Sequence, residues 1–325
     1  MSKRIQFSQH GGAEVLEWVD RPEPEPGMGE VRVRNHAIGL NFIDTYYRSG
    51  LYPPPALPSG LGNEGAGVVE AVGAGVEDFQ PGDRVAYGTG PLGAYAEQHV
   101  LPAANLVRLP QAISFEQAAA VMLKGMTAQY LLRQIHPLQA GETVLFHAAA
   151  GGVGSIACQW ARALGARLIG VVGSAEKAEQ ARALGAWQTI DRSREDVVQR
   201  VMELTDGQKC PVVYDSVGKD TWDTSLDCVA KRGLLVSYGN ASGPVTGVNL
   251  GILAQKGSLF VTRPILAGYA DTPERLRAMA AELFEMIENG HISVEIGQRF
   301  ALADAAQAQE ALTSRQTTGS TILLP

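Results

Sequence analysis

Hydrophobic positions in the first third of the chain come in short alternating or β-branched runs, at Arg4–Phe7, Val15–Val19, Val31–Leu40, Gly67–Val72 and Arg84–Gly88, separated by glycine and proline. Such runs predict strands. No long helical period is visible there, so residues 1 to about 120 read as β-rich. The proline-bearing segments Arg21–Gly27 and Pro53–Pro55 read as stiff connections between strands. From about residue 140 the rhythm changes to apolar strand, glycine-bearing turn and amphipathic helix, repeated several times. Strands are predicted at Thr143–Phe146, Arg167–Val172, Thr189–Ile190, Val212–Tyr214 and Leu234–Tyr238, and helices at Ser155–Leu164, Glu176–Leu184, Asp196–Leu204 and Trp222–Val229. A longer helix, Pro273–Glu288, precedes a mixed tail. This alternation predicts an α/β fold, a doubly wound parallel sheet with crossover helices, joined to a β-rich part.

Composition narrows the class. The 325 residues are 45% apolar and 19% charged with a net charge of −7, which suits one or two globular domains rather than a disordered chain. Uninterrupted apolar stretches such as Ala118–Leu123 fall far short of the ~20 residues that span a bilayer. Two early positive charges with no apolar segment behind them give no sign of a secretory signal, so a cytoplasmic protein with no membrane partner is expected. The 27 Lys and Arg are scattered among 34 Asp and Glu, which argues against nucleic acid as a partner. Cys158, Cys210 and Cys228 form no C-x-x-C pair and read as small apolar side chains. Glycine is abundant, 37 residues, which raises the expectation of ligand binding led by the backbone.

One glycine cluster has an informative context. His147-Ala-Ala-Ala-Gly151-Gly152-Val153-Gly154 follows a predicted strand directly and opens a predicted helix. Small residues at Ala149, Gly151 and Gly152 let the backbone approach a pyrophosphate, Gly154 permits close packing of helix on strand, and the helix N-terminus favours the anion. At the end of the second strand, where a carboxylate would accept from the adenosine ribose of NAD, stand Gly173 and Ser174. Lys177 follows one helical turn later, and Arg192 comes just after the third strand, both able to meet a 2′-phosphate. NADPH is therefore expected over NADH, with Glu176 and Asp191 as opposing charges.

The segment Gly141-Glu142-x-x-Leu145-x-x-x-Ala149-Ala150-Gly151-Gly152-x-Gly154-x-x-x-x-Gln159-x-x-Arg162 resembles the signature of the quinone oxidoreductase and zeta-crystallin family of medium-chain dehydrogenase/reductases. Gly62–Val69, Pro81–Val85, Asn41–Gly50, Tyr214–Gly218 and Thr318–Ser320 are similar to further landmarks of that branch, so the resemblance runs along the chain. It implies a GroES-like catalytic domain from residues 1–123 and 265–325, a Rossmann NADP-binding domain from 124–264, and an active site in the cleft separating them. It also implies a homodimer joined through the sheet edge around Ser237–Thr262.

Zinc-dependent relatives place Cys, His and Cys as catalytic ligands, and those places look to be held here by Asn41, Asn63 and Lys124. An amide or an ammonium cannot replace thiolate and imidazole, so no metal is expected. His147 beside the glycine turn reads as a packing or hydrogen-bonding residue. Quinones accept hydride without a Lewis acid, so the implied activity is zinc-independent NADPH:quinone reduction. Conjugated enals and enones are the competing acceptors, and a non-enzymatic NADPH- or RNA-binding protein is the reading from another class. By resemblance, Asn41, Tyr46, Tyr52, Lys124 and Tyr130 line the nicotinamide and acceptor site, with the Tyr46 or Tyr52 hydroxyl orienting or protonating a quinone oxygen. Val217, Gly239-Asn240-Ala241-Ser242 and Pro264-Ile265-Leu266 are implied along the cofactor, and Arg315 near its phosphates.

Overall fold

The chain opens with β1 (Ser2–Phe7), β2 (Leu16–Arg21), β3 (Glu30–Leu40), α1 (Phe42–Ser49), β4 (Ser59–Gly60), β5 (Glu64–Val72), β6 (Arg84–Tyr87), β7 (Gln98–Pro102), β8 (Val107–Arg108) and α2 (Phe115–Gln129). Then come β9 (Thr143–His147), α3 (Gly152–Ala163), β10 (Arg167–Val172), α4 (Ala175–Ala183), β11 (Gln188–Asp191), α5 (Val197–Leu204), β12 (Cys210–Asp215), α6 (Trp222–Cys228), β13 (Val229–Ser237), α7 (Gly251–Gln255) and β14 (Phe260–Thr262). The chain ends with α8 (Pro273–Glu288), β15 (Ile296–Ala301), α9 (Ala305–Thr313) and β16 (Ser320–Leu324). The computed structural model describes residues 1–314 and 317–325, and it divides into two compact units, Met1–Met126 with Tyr269–Pro325, and Thr127–Gly268.

In the first unit, a sheet ordered β15-β16-β3-β5-β6-β8, with β7 also on β3, packs beside a smaller sheet ordered β2-β1-β4. Ile5, Phe7, Val31, Val33, Ile38 and Tyr95 are among the side chains of their shared core. Two helices stand where the hydrophobic pattern predicts none. α1 is short and set by its ends, the Asn41 N–H donating to Asp44 Oδ2 at 2.8 Å and Gly50 closing it in the left-handed region. α2 is buried along Ala118–Met122, so it has no polar face and shows no helical period. The two units meet within α2, between Met126 and Thr127, and Lys124 is bonded to Glu64 of the first unit. By contrast, α8 is found with the bounds predicted; Thr272 caps it and Leu276, Met279, Ala280, Leu283 and Phe284 form its buried stripe.

The second unit is a six-stranded parallel sheet ordered β11-β10-β9-β12-β13-β14, flanked by the crossover helices. In order along this unit the strands run third, second, first, fourth, fifth, sixth, the doubly wound arrangement in which chain direction across the sheet reverses between β9 and β12. The near-continuous apolar strands fit a sheet covered on both faces, with Leu145, Ile169, Val171, Val213 and Leu235 in the core. Among the described residues no helix is long and apolar enough to cross a membrane.

Candidate active site

In the first unit, Glu64 begins β5 opposite Gly39 of β3. A Cβ on Gly39 would come within 2.1 Å of Glu64 Oε2 and 2.3 Å of the Ala119 carbonyl, so glycine there admits the carboxylate between sheet and α2. Glu64 is fully buried and three donors meet it. Asn41 Nδ2 and Lys124 Nζ donate to Oε2 at 2.7 and 3.0 Å, and the Leu123 N–H donates to Oε1 at 2.7 Å. Two residues singled out in the sequence, Asn41 and Lys124, are thus brought together by one that was not. Glu64 stands in the Gly62-Asn63-Glu64 triplet, and its signal was an acidic residue opening the apolar and glycine run Glu64–Val69.

The Asn41 backbone continues this network to Asp44, which also accepts from the Tyr95 hydroxyl at 2.8 Å. Asp44 is fully buried and its Oδ1 has no partner among the described residues. Burial pushes its carboxyl up to about 7, against the opposing hydrogen bonds from Asn41 and Tyr95 and the Lys124 charge. Tyr46 on α1 and Tyr52 beyond it stack edge to face, with ring centres 5.3 Å apart, and the Tyr52 N–H donates to the Tyr46 carbonyl. Both are half-buried.

In the second unit, β9 ends at His147 and passes through Ala148 and Gly151 into α3. A Cβ on Gly154 would lie 2.4 Å from the Ala148 carbonyl oxygen, so only glycine lets α3 start this close to the turn. No acidic residue stands in the first turn of α3, whose N-terminus leaves N–H groups at Gly152 to Gly154 without intrahelical partners. Next to it, β10 ends at Gly173 and Ser174, where Ser174 caps α4 by accepting from the Lys177 N–H at 3.3 Å. Lys177 is half-buried and Arg192 is exposed, with Arg192 Nε 4.0 Å from where a Cβ on Gly173 would lie. Asp191 is turned into its own loop, accepting from Ser193 N and Oγ at 3.0 and 2.7 Å. Val217 and the 239–242 turn are laced together: Ser242 N and Oγ each donate to the Val217 carbonyl at 2.8 Å, and Ala241 N to Ser216 at 3.1 Å. Gly239 and Asn240 belong to that turn; beyond β14, Pro264 is buried, Ile265 exposed and Leu266 half-buried. Tyr130 is buried in the π-helical turn Tyr130–Ile135. Arg315 lies outside the described residues.

Residues 27–111 match the model of the alcohol dehydrogenase GroES-like domain and residues 152–283 that of the zinc-binding dehydrogenases. Over 325 residues the chain is 72% identical to the quinone oxidoreductase of Pseudomonas aeruginosa, each chain covered in full. A solved structure of Escherichia coli quinone oxidoreductase complexed with NADPH superposes with a TM-score of 0.98 at 57% identity, over 99% of this chain and 100% of that one. A 2-haloacrylate reductase of Burkholderia is 45% identical over 97% of this chain and 96% of its own length.

The zinc in the second model's description does not fit the residues present. At the positions in question an amide and an ammonium both donate to Glu64, and the Asn63 amide nitrogen is buried with no partner among the described residues. An ammonium offers no lone pair, and an amide supplies neither the thiolate nor the imidazole that zinc takes. Among the described residues no three His, Cys, Asp or Glu side chains gather as a metal would require. With both halves of the fold matched and identity reaching 72% along the full length, the chain belongs to the quinone oxidoreductase family of the medium-chain dehydrogenase/reductases.

Proposed function

We propose that this chain is an NADPH-dependent quinone reductase working without zinc. The observation that carries this reading is the buried Asn41–Glu64–Lys124 cluster, a set of hydrogen-bond donors around one carboxylate where a metal-dependent reductase needs lone-pair ligands. An acceptor for such a site has to be electrophilic already, and a quinone is.

The dinucleotide fits the second unit. The Gly151–Gly154 turn and the α3 N-terminus suit a pyrophosphate, Gly173, Ser174, Lys177 and Arg192 suit a 2′-phosphate, and the backbone at Val217, Gly239–Ser242 and Pro264–Leu266 suits the rest of the cofactor. Arg315 is proposed for the phosphates from the resemblance alone. When bound, NADPH supplies hydride from nicotinamide C4. The chain's own residues hold and orient: Asn41 and Tyr130 toward the nicotinamide, and Tyr46, Tyr52 and Lys124 toward the acceptor oxygen, where a hydroxyl or ammonium proton completes reduction.

Identity with the 2-haloacrylate reductase supports a second reading, hydride addition to an activated double bond. Nicotinamide absorbance, followed with a small benzoquinone, a polycyclic ortho-quinone and a medium-chain alkenal in turn, separates the two. Rapid NADPH oxidation by a quinone is expected; turnover with the alkenal alone would move the assignment.

A homodimer and a cytoplasmic location belong to the same reading. β14 is the last strand of its sheet, and Leu250, Phe260 and Ile265 on and around it are 73%, 63% and 62% exposed, an apolar edge suited to pairing with its own copy. Sedimentation should give a dimer, and Phe260→Glu a monomer. Cys158, Cys210 and Cys228 are buried and unpaired, which suits a reducing compartment.

A further inference from the structure

At the point where the strand order of the parallel sheet reverses, the neighbouring strands β9 and β12 end at His147 and Asp215, both 1% exposed. Ser225 on α6, fully buried, stands between them, its Oγ 3.0 Å from His147 Nε2 and 2.6 Å from Asp215 Oδ2. Thr221 Oγ1 donates to the same Oδ2 at 2.7 Å, while Val217 N and Gly218 N donate to Oδ1 at 2.7 and 3.1 Å. These are the residue types of a hydrolytic triad in another order. The serine lies in the middle and its proton goes to the carboxylate, so no nucleophile is activated, and burial keeps substrates away.

The donor count fixes the rest of the arrangement. An ionised carboxylate only accepts, so Ser225 donates its one proton to Asp215 and must accept from His147. The imidazole is therefore the Nε2–H tautomer, and burial lowers its pKa, which keeps it neutral. Each end of the chain of bonds opens onto a different loop. His147 leads directly into the Ala148–Gly154 turn, and Asp215 Oδ1 holds the Val217 and Gly218 N–H groups inward. The Val217 carbonyl is then left to accept from Ser242 N and Oγ, both at 2.8 Å.

We propose that His147, Ser225 and Asp215 are positioning residues, a buried relay that locks the 148–154, 216–218 and 239–242 turns into the arrangement that receives the dinucleotide. The proposal rests on the dinucleotide reading above and adds residues that touch no ligand.

The test uses the full-length protein. Imidazole nitrogen NMR, with His147 assigned through residues 146–148, should show Nε2–H in the wild type without cofactor. In Asp215→Asn the amide nitrogen faces Ser225, the hydroxyl turns its proton to His147, and the ring should switch to Nδ1–H. Ser225→Ala and Asp215→Asn should each weaken NADPH binding, read as a fluorescence-titration Kd, about ten-fold or more, with kcat at saturating NADPH within about two-fold. An Nδ1–H ring in the wild type overturns the relay, and so do folded variants that bind NADPH as the wild type does. A wild type that shows Nε2–H and the predicted switch but binds no NADPH would instead overturn the dinucleotide reading. The tautomer of the wild type decides the relay even where a variant fails to fold.

Discussion

Lys124 Nζ lies 3.0 Å from Glu64 Oε2, with the lysine side chain 7% exposed and the glutamate side chain wholly enclosed. Removing either partner strands a charge out of reach of water, which costs about 3–5 kcal/mol, whereas removing both charges together costs far less. Glu64→Gln and Lys124→Met should each lower stability by that order in urea unfolding. The double variant should recover most of the stability but not the turnover, because the site then has neither its ammonium nor its charged anchor. A double variant that regains both would make the pair purely structural.

Asp44 gives a pH dependence of known sign. Its carboxyl titrates at about 7 in the folded chain against 3.8 when unfolded, so the folded state holds a proton that the unfolded state has released between those values. Its contribution is therefore fully present at low pH and is lost as pH rises toward 7, at about 1.4 kcal/mol per unit. Asp44→Asn, which cannot ionise, should flatten the stability profile between about pH 4 and 7. A profile unchanged by the substitution would place the ionisation elsewhere.

For the cofactor's phosphates, Lys177→Ala and Arg192→Ala should each raise the KM for NADPH roughly ten-fold or more and leave that for NADH nearly unchanged, the value of a charge-assisted hydrogen bond. Arg192 is exposed, so its share should shrink at high salt. Equal losses for both cofactors would remove these residues from the 2′-phosphate.

Tyr46→Phe keeps the ring that stacks on Tyr52 and deletes only the hydroxyl. Turnover with a quinone should fall about ten-fold or more with NADPH affinity unchanged. Unchanged turnover would make Tyr46 a packing residue.

Activity should survive exhaustive chelation and gain nothing from added zinc, because Asn41 and Lys124 are donors to Glu64 rather than ligands. Loss on chelation with recovery on adding metal would refute this.

How much of this was legible in the sequence depends on what leaves a periodic trace. The β/α rhythm of the second unit did, because β9, β10, β12 and β13 carry apolar runs between helices bounded by glycine or capping residues, whereas the short α7 and β14 left no such trace; α8 was readable to the residue. α1 and α2 were not, one being defined by its two ends and the other buried along most of its length. Asn41, Tyr46 and Lys124 were found by resemblance. Glu64, Asp44 and Ser225 were passed over because a buried polar residue is meaningful only through its partners, and those lie 23, 51 and 78 positions away in the chain.

The pairing of β16 with β3 sets Thr321 against Leu40. The large sheet of the first unit is therefore unfinished until β16 has been synthesised, some 280 residues after its central strand β3. At ribosomal speeds that interval is roughly a quarter of a minute to a minute. Throughout it the Ile38–Leu40 end of β3 lacks its β16 partner, although β7 already covers Glu30–Arg34, while the second unit, contiguous in sequence, can fold as it emerges. The nascent chain thus carries a folded second unit tethered to a first-unit sheet still short of β15 and β16, and the emergence of those two strands closes the vulnerable window for misassociation.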